Sequence, residues 1–130
     1  DAAENIMICV QAMTGMVLDM TVQKDVMKSA AGNGYATATD LADWLVQNLK
    51  LPFREAHHIT ARIVKLASDK KKPLDALTLA ELKSVHDDIR KEVFSVLSAE
   101  ASAASRVSLG GTAPSNVKKA AVAAKKRLAL

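Results

Sequence analysis

Between Thr37 and Ala67 the apolar residues twice recur at helical intervals, broken only by Pro52, and this pattern points to two amphipathic helices meeting at a corner. Leu41, Trp44, Leu45 and Leu49 fall at i, i+3, i+4 and i+8, which puts them on one stripe. Thr37 and Asp40 have capping-box spacing, with a short carboxylate in place of Glu, so the first helix is expected to start there. Proline lacks the N–H needed to continue that helix but suits the first turn of a new one, which places the corner at Lys50-Leu51. Beyond it Phe53, Ala56, Thr60, Ile63 and Ala67 form a second stripe flanked by Ile59 and Leu66, opposite Arg54, His58, Arg62 and Lys65.

The rest of the chain has to supply what covers these stripes. Apolar residues make up 49% of the 130 positions but aromatics only 3%, so a core of Ala, Leu, Val, Ile and Met is expected. No alternating Val/Ile/Thr run suggests a sheet, and the fold class is all-α. The opening segment to about Met20 reads as a helix with a seam of Ile6, Val10, Met13, Val17 and Met20, but Met7, Ile8, Cys9, Ala12, Met16 and Leu18 make much of its remaining surface apolar too. A helix greasy almost all round belongs inside something larger. With no initiating Met and no obvious N-cap, it is expected to be the distal part of a long bundle helix, entered partway along a longer polypeptide. Residues 21–31 read as a short helix stopped at Gly32-Asn33-Gly34. The expected division is therefore residues 1–33 as the end of a helical-bundle domain and 34–130 as a small multi-helix C-terminal domain.

Further helices are expected from Thr78, an N-cap followed by Leu79, Leu82 and Val85, over 89–97, and across the alanine-rich Ser98 to Arg106. After the break at Ser108-Leu109-Gly110-Gly111, a last helix starts at Thr112 to Ser115. Its seam of Val117, Ala120, Ala121, Ala124 and Leu128 suits close packing.

Candidate chemistry is thin. His57 and His58 are adjacent, hence about 100° apart on a helix and poorly placed to share a metal; His57 is expected hydrogen-bonded at the core edge and His58 solvated. Gly110 to Asn116 offers a turn before a helix but lacks the lysine and glycine spacing of a P-loop, so a turn and cap is expected. Asp40 is assigned to capping and Asp43 to solvent. One cysteine, Cys9, excludes an internal disulfide and is consistent with a reducing compartment. No catalytic residue, cofactor or metal site is assigned.

Net charge is +4, unevenly spread: residues 1–49 hold two Lys and six acidic residues, residues 107–130 five basic and no acidic ones. The basic positions Lys118, Lys119, Lys125, Lys126 and Arg127 come without stacking aromatics. They suit a solvated helix end whose dipole favours cations, not a nucleic-acid arm. No run of about 18 uninterrupted apolar residues suggests a membrane span, and a cytoplasmic location is the expectation.

Two segments resemble a known family. Ala38-Thr-Asp-Leu-Ala-Asp-Trp-Leu-Val46 with Leu51-Pro-Phe-Arg-Glu-Ala-His-His58, and later Ser105-Arg106 with Gly110-Gly-Thr-Ala-Pro114, are similar to the C-terminal region of argininosuccinate lyases, of the fumarase and aspartase superfamily. Ala61, Ala103 and Leu109 depart from the family pattern at packing positions. The resemblance implies a parent enzyme that reversibly cleaves argininosuccinate into arginine and fumarate in arginine biosynthesis. It also implies that no cofactor is used and that the parent is a homotetramer whose bundle helices build shared active sites. The family's catalytic serine and histidine motifs do not occur in this sequence, so this stretch alone is expected to be inactive and to serve packing and assembly. The competing expectation is a free-standing helical interaction module with a basic C-terminal helix.

Overall fold

The computed structural model describes residues 1–128, and among them every regular element is helical. In chain order these are α1 (Ala2–Leu18), α2 (Lys24–Ala31), α3 (Ala38–Leu49), α4 (Phe53–Asp69), α5 (Leu79–Lys83), α6 (Ala99–Ser105) and α7 (Pro114–Arg127). Short 3-10 segments lie at Asn33–Tyr35, Leu74–Ala76 and Lys91–Val96. The last of these stands where the sequence suggested helix over 89–97: the stretch is a tighter, 3-10 winding that still points Val93 and Leu97 inward.

The core is the α3–α4 hairpin and what lies across it. Leu41 and Leu45 of α3 and Ile63 of α4 are fully buried, against Leu82 of α5 and Ile89 and Val93 from the segment after it. The corner is made by Lys50, whose backbone is left-handed at φ 57°, and by Pro52 at the N-cap of α4. Such a backbone costs a non-glycine residue about 1–2 kcal/mol, which the two helices packed on either side of the corner offset.

The second stripe is buried at Ala56, Ile59, Thr60, Ile63 and Ala67, but not at its start. Phe53 is 60% exposed, because it sits in the first turn of α4, past the end of the hairpin partner. His57 is exposed with it, the two rings 6.3 Å apart, and makes no hydrogen bond among the described residues, contrary to the expected core-edge histidine.

α1 and α7 contribute nothing to this core: neither has a buried residue. At Ile6, Val10, Met13 and Val17 the α1 seam is more than half exposed throughout. Asp1 takes the N-cap position of α1 with Glu4 at the third helical position, a capping box the sequence did not suggest. On α7 the seam of small residues is exposed at Val117, Ala120, Ala121 and Leu128 and half-buried at Ala124. α2 is tied to the helical unit by an ion pair from Lys28 to Glu100 of α6 at 2.7 Å, which raises the lysine's pKa and lowers that of the glutamate.

Candidate functional site

The start of α3 and the loop after α6 meet in the most elaborate polar arrangement of the molecule. Thr37 is buried and N-caps α3 by position, but its hydroxyl donates to the Leu97 carbonyl at 3.0 Å instead of serving the helix end. Asp40 is also buried, and it is no cap either. One carboxylate oxygen accepts from the Ser102 hydroxyl at 2.7 Å, and the other accepts from the Arg106 guanidinium at 2.5 Å. The expected capping box is therefore replaced by a clasp between α3 and the α6 end. Long-range partners outcompete the local cap because they satisfy a carboxylate that burial would otherwise leave costly.

The clasp extends into the turn that follows. The Arg106 carbonyl accepts from the Ala113 amide at 3.1 Å, the Ser108 carbonyl accepts from the Gly111 amide at 2.9 Å, and the Asn116 side-chain amide donates to the same Ser108 carbonyl at 2.9 Å. A Cβ on Gly111 would overlap the Arg106 carbonyl, and Gly110 is left-handed at φ 78°, so each glycine of the pair has its own reason to be one. Ala113 is buried and Pro114 opens α7 at a position where its missing N–H costs nothing. The segment from Gly110 to Asn116 is thus a hydrogen-bonded turn.

Above the clasp lies a cavity of about 310 Å³ lined by Asp40, Asp43, Trp44, Gln47 and Arg106 among others. Asp43, assigned to solvent from sequence, is half-buried at its wall. The cavity has little to work with chemically. Asp40 spends both oxygens on Ser102 and Arg106, so it is badly placed to take a proton from a substrate.

The remaining candidates are not gathered into a site. His57 and His58 lie with ring centroids 6.2 Å apart, and no group of three or more metal-ligating side chains occurs among the described residues. Cys9 is exposed on α1, and Lys118, Lys119, Lys125, Lys126 and Arg127 are exposed along α7. No helix is long and apolar enough to cross a membrane among the described residues. What the sequence reading missed is Asp40, although a signal was present: Thr37, Asp40 and Trp44 fall at i, i+3 and i+7, on the edge of the buried stripe.

Comparison with known proteins decides the family. The profile of the family described as "Argininosuccinate lyase C-terminal" matches residues 35–104, more than half of the chain and nearly all of its buried core. The chain belongs to the argininosuccinate lyase C-terminal family. It is also 57% identical over 129 residues to argininosuccinate lyase 1 of Mesorhizobium japonicum, an alignment covering 99% of this chain and 28% of the relative. The chain thus spans little more than a quarter of the length of that lyase. The matched family segment holds α3 to the greater part of α6, and the clasp joins it to Arg106, two residues beyond its end.

Proposed function

We propose that this chain is the C-terminal part of an argininosuccinate lyase, with residues 1–33 closing a helical-bundle domain and 34–130 forming the C-terminal helical domain. The whole enzyme breaks the C–N bond of argininosuccinate, in arginine biosynthesis. A base takes a proton from the carbon next to the one bearing nitrogen, a carboxylate stabilises the resulting carbanion, and an acid protonates the departing nitrogen, leaving fumarate and arginine. It is a cytoplasmic homotetramer, and this part serves packing and assembly and has no turnover of its own.

The observation that supports this most is α1, a 17-residue helix whose apolar seam the chain leaves exposed from Ile6 to Val17. An exposed stripe of that length is an interface waiting for other helices, and the relative's remaining length supplies the source of them.

Two measurements test the reading. The chain incubated with argininosuccinate gives no fumarate absorbance; turnover by the chain alone overturns the claim that it is inactive. A chimera in which this chain replaces the matching segment of the Mesorhizobium lyase assembles and turns over argininosuccinate; an assembled but dead chimera sinks the assignment.

A further inference from the structure

The outer face of α4 holds a second group of functional side chains, remote from the Asp40 clasp. Arg54, His58 and Arg62 stand at i, i+4 and i+8, so they line one side of the helix over about 12 Å. His86, from the segment after α5, closes the other side of a groove of about 430 Å³. Glu55 is the one acid lining it, and Pro52 and the buried Ile59 give it an apolar floor.

Three features set this groove apart from an ordinary charged surface. Arg62 is anchored, its guanidinium donating to the Val85 carbonyl at 2.9 Å beside His86, so one cation is fixed in place before any ligand arrives. Neither Arg54 nor His58 has a hydrogen bond or ion pair among the described residues, so both are available. The His86 Nδ1 is buried without a hydrogen-bond partner, so no protein contact holds that ring's orientation. Two guanidiniums against one carboxylate give the groove a positive lining, and each imidazole ring carries an N–H that can donate.

We propose that this groove binds a small dianion through Arg54 and Arg62, with His58 and His86 completing its hydrogen bonds. The chemistry shared by a phosphate group and a dicarboxylate, several oxygens and two negative charges, matches forked guanidinium donors with two imidazoles. Arg54, His58 and Arg62 are exposed on α4, and the groove meets the buried stripe only at Ile59.

Equilibrium dialysis of the chain against radiolabelled inorganic phosphate, and separately against labelled fumarate, at fixed pH and ionic strength gives one saturable site, whatever the state of association. Histidine ring NMR signals of His58 and His86 move with the same saturation curve. Saturation by phosphate alone assigns a phosphoryl group; saturation by fumarate alone assigns a dicarboxylate. Arg54→Gln, which removes a side chain with no protein partner, weakens binding about tenfold or more, as expected for losing a charged hydrogen-bonding group. Arg54→Lys keeps part of the affinity, and Arg90→Gln, outside the groove, changes nothing. No saturable binding of either anion, equal ring shifts with chloride at matched ionic strength, or binding indifferent to Arg54→Gln each overturns the proposal.

Discussion

Asp40 shows what single residues decide in this fold. Its two partners lie 62 and 66 positions further along the chain, so it fastens the turn leading to α7 onto the first turn of α3. Asp40→Asn keeps a side-chain oxygen for Ser102 but loses the charge that holds Arg106. Because Arg106 is about half exposed, water replaces part of what is lost, and a cost of about 1–2 kcal/mol to the unfolding free energy is expected. The effect is local as well as global: the Ala113 amide, bonded to the Arg106 carbonyl, exchanges its hydrogen faster in the variant while the Ile63 amide changes only by the global amount. Equal acceleration at both would mean the clasp does not anchor the α7 turn. Sequence could place Asp40 at a helix start, but a carboxylate's choice between a local amide and a distant arginine depends on tertiary packing, which spacing does not encode.

Elements were more legible than residues, for a physical reason. Helix identity follows from periodic apolar positions and cap residues, and both are local. Hence the α3 stripe at Leu41, Trp44 and Leu45, the corner at Lys50 and the Thr78 cap lie where the residues suggested. Burial at an element's end depends on whether a partner reaches that far, and Phe53 stands outside for that reason. The α5 cap also makes a pH prediction. Glu81 accepts from Lys70 at 2.7 Å, from the Thr78 amide at 2.6 Å, and has Lys72 at 3.6 Å, while its own amide donates to the Thr78 hydroxyl. The Lys70 bond first, then those to Thr78, lower its pKa from the usual 4.5 to about 2. A depressed carboxylate stabilises the fold fully above its unfolded value and stops doing so as pH falls through the folded one. Glu81's contribution is therefore present above about pH 4.5 and vanishes toward pH 2. Glu81→Gln lowers stability at pH 7 and flattens its decline over that window in denaturant titrations; an unchanged slope would show that the cap does not hold the charged form.

At the scale of the whole molecule the chain divides its apolar surface into a part it buries and a part it cannot. The core draws on α3, α4, α5 and the segment to Leu97, while α1 adds no buried residue. α1 has no buried residue, so tertiary packing within this chain does little to hold it helical, and two states are open to it: folded against other copies or partner helices, or frayed when alone. Replacing Ile6, Val10, Met13 and Val17 by Gln removes the reason for association without touching the core. The variant is expected to run as a monomer in sedimentation. It keeps the unfolding midpoint of the helical unit and loses the far-ultraviolet helix signal of α1. In the unaltered chain, α1 amides become protected from hydrogen exchange as concentration and association rise, whereas Leu41 to Ala67 are protected at every concentration. A dilute monomer with α1 as protected as the core would mean that the rest of this chain shields that helix after all, and the seam would then have no partner to find.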